Sequence, residues 1–264
     1  MRKAFLTIVG PLDYLARVIN NKKDYPPLRL RAHVGPLRYY EAAASEFCVY
    51  LKHFTGISSA HTLLDIGCGN AVIYTFLKSY FSVDCNYIGV DVHKQSIDWC
   101  RRHIGLHNPK TRFVHLDFKN SIYNPGGTLQ HSAAPIPLEK GSCDIILLKS
   151  VFTHLMPEEV SSYFSEIFRL LKSKGKCLLT FFLFHEGTTQ ESERLFPYKS
   201  NDGHYRVSDK KHPERTIAYD ENFIRSLLEE HGLTLYSSIQ YGSWSGGNDV
   251  LSYQDLLVVE KVNA

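Results

Sequence analysis

The sequence predicts a single α/β domain built on a doubly wound, mostly parallel sheet with an antiparallel C-terminal strand. Three observations predict it. Short apolar runs alternate with helical patterns between residues 62 and 184, which is the rhythm of β-α-β units. The first run, Leu63-Leu64-Asp65-Ile66, passes directly into Gly67-Cys68-Gly69-Asn70. Two further apolar runs, 233–241 and 254–261, flank a Gly/Ser-rich turn, GSWSGG, and suggest a terminal hairpin.

The elements follow in chain order. Residues 39–54 space Tyr40, Ala43, Ala44, Phe47, Tyr50 and Leu51 at three- and four-residue steps, an amphipathic helix that Gly56 ends. Ahead of it, Pro26, Pro27 and Pro36 discourage helix, so residues 1–38 are expected to form an extended arm laid over a main domain of residues 39–264. Strands are expected at 62–66, 87–91, 112–116, 144–149 and 176–184, with helices at 72–81, 94–103 and 158–172. Two segments break the rhythm. Residues 119–141 hold Pro125, Gly126, Gly127, Pro135 and Pro137 and read as a loop, while the polar stretch 185–219 reads as an inserted lid.

Composition narrows the function classes. With 264 residues, 44% hydrophobic and 22% charged, the chain is long and apolar enough for a substantial core. The 30 basic and 27 acidic residues leave only +3, far from the excess that phosphate contacts demand, so no nucleic-acid partner is expected. The six cysteines lack CxxC spacing, which argues against a metal site or a disulfide framework and for free buried thiols. Pro11 and Asp13 interrupt the N-terminal apolar stretch, and no run approaches a membrane span, so a cytoplasmic location is expected. Short amphipathic segments can still touch a membrane surface.

The chemistry concentrates at predicted strand ends, where open α/β sheets bind ligands. Glycine suits a turn whose backbone must approach a ligand closely. Asp91 ends the second strand and can accept from both hydroxyls of a ribose. Asp117 follows the third strand, within reach of an adenine amine, and the fourth leads into Lys149, Ser150 and then Val151-Phe152-Thr153-His154. A dinucleotide turn asks for a further glycine where Val72 stands, which weakens a nicotinamide reading.

With Asp65, Gly67 and Gly69 in the turn, Asp91 after the second strand and Asp117 after the third, the sequence resembles the class I methyltransferases that use S-adenosylmethionine. The resemblance covers about residues 39–261, and one departure is Ala71, where many members carry a third glycine. It implies a Rossmann-like fold. It also implies that Gly67, Cys68 and Gly69 present backbone to the cofactor, that Asp65 orients its methionine end, and that Asp91 holds the ribose and Asp117 the adenine. Asn70, Val92 and Phe118 belong to the same expected binding set, and Lys149 and Ser150 would line the methyl-transfer centre.

The segments SVFTHL, AYDENFIRSLLEEHGL and GSWSG with YQDLLVVEK are similar to a subgroup that tailors glycans and natural products, which suggests an oxygen acceptor on a small molecule or sugar. A hydroxyl must lose its proton, and His154 is the first candidate base; a structural histidine at a helix start is the alternative. His185, His204 and Glu214 are further candidates, and Tyr205 and Trp244 could offer flat apolar surfaces to an acceptor, although large aromatics are more often core. A cofactor-binding module without turnover and a nicotinamide oxidoreductase remain as competing classes.

Overall fold

The structure is a computed structural model and describes residues 10–129 and 135–262. The chain opens with helix α1 (Gly10–Ile19) and a single turn, α2 (Leu28–Arg31), followed by α3 (Tyr40–Tyr50). The Rossmann-like body then alternates β1 (Thr62–Ile66), α4 (Val72–Phe81), β2 (Asn86–Asp91), α5 (Lys94–His103), β3 (Thr111–His115), β4 (Cys143–Leu148), α6 (Pro157–Leu170) and β5 (Leu171–Phe181). The expected 185–219 insertion is built from β6 (Leu183–Phe184), α7 (Gln190–Leu195), β7 (Tyr198–Lys199), β8 (Tyr205–Val207) and β9 (Ile217–Asp220). Helix α8 (Glu221–Glu230), β10 (Leu233–Leu235) and β11 (Asp255–Lys261) complete the fold.

Seven strands form the main sheet in the order β10-β11-β5-β4-β1-β2-β3. Strand β11 is antiparallel to both neighbours, and the pairs from β5 through β3 are parallel. Parallel strands are covered on both faces, so their side chains alternate between two cores rather than between core and water. Leu63, Ile145, Leu147, Leu178, Leu256 and Val258 face one core with α3, α4 and α5. Their neighbours Leu64, Ile66, Ile146, Leu148, Leu179 and Leu257 face the other, with α6 and α8. All six cysteines are buried and free.

Three expectations need correction. The arm is not extended throughout: 10–19 is helical, because Pro11 occupies the first turn, where its missing N–H costs nothing. Among the expected arm residues, 1–9 lie outside the described ones. The strand expected over 176–184 starts at Leu171, directly after α6, and stops at Phe181; Leu183 is drawn into a second sheet of order β6-β9-β8-β7. The hairpin strand expected over 233–241 is three residues long, with a separate bridge from Gln240 to Leu256.

Candidate active site

At the carboxyl ends of β1, β2 and β4 the structure holds a cavity of about 870 Å³, open to solvent and walled on its far side by residues 32–36. The glycine turn forms its floor. Gly67 and Gly69 have φ of +76° and +53°, and a Cβ on Gly69 would lie 2.3 Å from Val34 Cγ1, one on Gly67 2.6 Å from Val151 Cγ2. No side chain fits at either position. Ala71 takes φ of +55°, the left-handed conformation for which glycine would be the easier residue.

Asp91 shapes this floor. Its carboxylate accepts from the Gly69 N–H at 2.7 Å and from the His93 N–H at 2.7 Å. Burial raises its pKa, and those two amides oppose the rise. Asp65 accepts from the Tyr87 hydroxyl at 2.7 Å, and burial pushes its carboxyl up to about 7. Lys149 sits nearby with its ammonium 5.2 Å from the Phe47 ring centre; burial lowers its pKa while Asp65 supports the charged form. Ser150 is held at φ of +54°, its N–H donating to Thr180 Oγ1 and its hydroxyl to Gln254 Oε1.

Of the expected site residues, Asp65, Gly67, Cys68, Gly69, Asp91, Val92, Lys149, Ser150 and His154 line the cavity. Three do not. Asn70 is buried behind the turn, accepting from the Tyr40 hydroxyl at 2.9 Å and donating to the Leu30 carbonyl at 3.2 Å, so it braces the N-terminal segment. Phe118 is in the core. Asp117 lies off the cavity wall, where Thr128 and Asn124 hydrogen-bond to its carboxylate and hold its pKa below the ordinary range. Leu116 and Asn120 take its place on the wall.

His154 sits in a short helical turn after β4 with its Nδ1 3.1 Å from the Glu214 carbonyl. A carbonyl only accepts, so Nδ1 carries the proton and the neutral ring keeps Nε2 as an acceptor. Burial lowers the His154 pKa, against a smaller opposing pull from the Glu214 and Arg215 carbonyls. Glu214 is therefore no base of this site: its backbone orients His154, and its carboxylate accepts from the Ser121 hydroxyl. His185 stacks on Tyr241 at 3.9 Å in a separate cavity of about 570 Å³, and His204 stacks on Phe223 at 4.3 Å.

The two aromatics that could have offered a surface to an acceptor do not line the cavity. Trp244 packs among Phe182, Phe184 and Phe196 and donates to Asp255 at 2.8 Å, while Tyr205 leans on Tyr219. Tyr123 and Tyr253 line the wall instead. Two buried polar atoms on that wall lack a protein partner: Thr153 Oγ1 and His33 Nε2. Thr153 could have been suspected from its place beside His154. His33, stacked on His93 at 3.7 Å, had no signal in the sequence.

Residues 64–179, the stretch that holds the glycine turn, Asp91, Lys149 and His154, match the family described as a methyltransferase domain. The chain thus carries a methyltransferase domain over this stretch, an enzyme domain whose cofactor is S-adenosylmethionine. Solved structures show the same fold at low identity. Mitomycin 7-O-methyltransferase is 14% identical with a TM-score of 0.58, over 97% of this chain and 60% of that one. The 1,6-didemethyltoxoflavin-N1-methyltransferase of Burkholderia thailandensis, solved with its substrate and S-adenosylhomocysteine, is 14% identical with a TM-score of 0.53, covering 84% and 80%. A [4+2]-cyclase is 13% identical with a TM-score of 0.54, covering 85% and 83%. The site residues fit the cofactor: two glycines whose Cβ positions are already filled leave backbone to face it, and buried carboxylates stand at two strand ends.

Proposed function

We propose that the protein methylates a hydroxyl of an uncharged small molecule or sugar, with His154 as general base. The observation that carries the reading is the state of His154, whose Nδ1 is committed to the Glu214 carbonyl, so that in the neutral ring the lone pair sits on Nε2. Cavity composition supports it. Asp65, Asp91 and Lys149 are the carboxylates and ammonium on the described wall, and all lie at the ends of β1, β2 and β4 beside the glycine turn. The remaining polar groups there, among them Thr153, Asn120 and Gln254, are uncharged donors and acceptors suited to hydroxyls.

When bound, S-adenosylmethionine supplies a sulfonium methyl for in-line displacement. Backbone at Gly67 and Gly69 would hold its methionine end together with Asp65, and Asp91 its ribose. Val92, Leu116 and Asn120 would surround the base in place of Asp117. Lys149 and Ser150 border the transfer centre, and His154 Nε2 takes the acceptor's hydroxyl proton as the carbon–oxygen bond forms. Holding donor and acceptor in one orientation supplies much of the remaining acceleration.

Transfer of labelled methyl from S-adenosylmethionine to a panel of methyl glycosides, phenols, carboxylates and amines tests the acceptor class. Product from neutral hydroxyl compounds is expected; product from amines alone would overturn the reading. His154→Ala should lower turnover by roughly two to four orders of magnitude while cofactor affinity stays close to wild type. Unchanged turnover would move the base elsewhere. Asp91→Ala should weaken cofactor binding about tenfold or more in calorimetry, because both the ribose partner and the support of the Gly69 amide are lost.

A further inference from the structure

Ser150 and Gln254 lie 104 residues apart in the chain and meet at the carboxyl end of the main sheet. Ser150 comes just after β4, and Gln254 immediately precedes β11. Because β11 runs antiparallel, it begins where the parallel strands end: Asp255 pairs with Phe181, the last residue of β5. In the sheet order β11-β5-β4-β1-β2, Gln254 therefore stands beyond β4, on the side away from the glycine turn after β1 and from Asp91 at the end of β2. Both residues line the main cavity.

Ser150 is fixed before it meets Gln254. Its φ of +54° is a left-handed conformation that serine keeps only where its surroundings hold it, and its N–H is tied to Oγ1 of the fully buried Thr180 at 2.7 Å. From there its hydroxyl donates to Gln254 Oε1 at 2.9 Å. A side-chain amide has one acceptor oxygen and two N–H donors on its nitrogen. With Oε1 engaged, the rotation of the amide is set. What Gln254 offers the cavity is Nε2, which has no partner among the described residues and is not sealed from solvent.

We propose that Gln254 orients the acceptor, its Nε2 donating to a second oxygen of that molecule besides the one His154 deprotonates, and that Ser150 is the positioning residue that aims the amide. The inference rests on the hydroxyl-acceptor reading and narrows it. The acceptor carries at least two oxygens, as a diol, a hydroxy ether or a sugar does. An analogue without the second oxygen leaves the amide donor unpaired in the closed complex and is discriminated against.

Steady-state kinetics with methyl glucoside against its monodeoxy analogues, and with catechol against phenol, tests this. In the pair that turns over, Gln254→Leu should raise KM for the compound with both oxygens about tenfold or more and leave the analogue lacking the contacted oxygen unchanged. Gln254→Glu, which still accepts from Ser150 but has no donor to present, should behave like Gln254→Leu. Ser150→Gly suits the left-handed backbone and removes only the hydroxyl; it should raise the same KM severalfold and add nothing once Gln254 is Leu. Calorimetry with S-adenosylmethionine should give near wild-type affinity for every variant, which also shows that each folds. Equal losses with and without the second oxygen, a fall in cofactor affinity, or losses that multiply in the double variant overturn the proposal. Transfer to amines alone overturns the hydroxyl reading and this inference with it, whereas hydroxyl transfer unchanged in both variants overturns this inference alone. One readout needs no acceptor: the side-chain amide signal of Gln254 in NMR, identified by its loss in Gln254→Leu, should move in Ser150→Gly, and an unmoved signal overturns the positioning.

Discussion

A buried carboxyl and a buried imidazole give the site its pH behaviour. Asp65 has a pKa of about 7, above its unfolded value, so the protonated form is favoured in the folded protein. Its stabilising contribution is therefore present at low pH and lost as pH rises through about 7. A cationic cofactor amine beside it favours the ionised form and reverses the preference. S-adenosylmethionine should accordingly bind with release of a proton below about pH 7 and more tightly above it. Calorimetry in buffers of differing ionisation enthalpy measures the proton directly, and no release near pH 6 would count against Asp65 as the partner. At His154 the sign is opposite: burial lowers the pKa, so the neutral base persists to more acidic pH than an ordinary imidazole, and the acidic limb of kcat should move with it. Asp91 was legible in the sequence because strand ends place side chains at the ligand crevice. Asp117 occupies the equivalent place but is claimed by Thr128 and Asn124, a local competition that strand spacing does not encode.

Among the elements, the body from β1 to α6 was readable because its strands are long enough for apolar runs and its helices for a stripe. The insertion was not, since β6 to β9 span two to four residues each, too short for a period. What fixes it is a buried group outside it. Asp255 accepts from the Leu183 N–H at 2.6 Å, the Gly242 N–H at 2.7 Å and Trp244 Nε1 at 2.8 Å, joining β6, the GSWSGG turn and β11. Trp244 could have offered a flat surface to an acceptor, but it packs in the core, the commoner place for a large aromatic, and its indole N–H is a structural donor. Trp244→Phe keeps most of the packing and removes that donor, so it should cost about 1–3 kcal/mol in denaturant unfolding. Ser121→Ala cuts the tie between the 119–129 loop and Glu214. Because Glu214 also orients His154, the variant should lower kcat more than it changes cofactor affinity.

Over the whole molecule, the N-terminal segment and the domain share one binding surface. Val34 packs over Gly69, and Asn70 reaches back to Tyr40 and Leu30, so the segment 28–40 braces the glycine turn and walls its cavity although the resemblance began at 39. Hydrogen exchange of the amides from 28 to 35 should slow when S-adenosylmethionine binds. Protection confined to the β1 and β2 ends would show that the segment does not respond to the ligand.

The strand order has a further consequence. Strand β11 lies between β10 and β5 rather than at the rim, and it carries Asp255. A ribosome delivers residues in sequence, so β5 must wait with an unpaired edge, and β10 without any partner in the sheet, until Lys261 has left the exit tunnel. The half from β1 to β4 can assemble early, while the insertion that orients His154 becomes anchored only once β11 has emerged. During that interval the nascent chain presents an open, apolar strand edge, and this is the stage at which a chaperone would matter most.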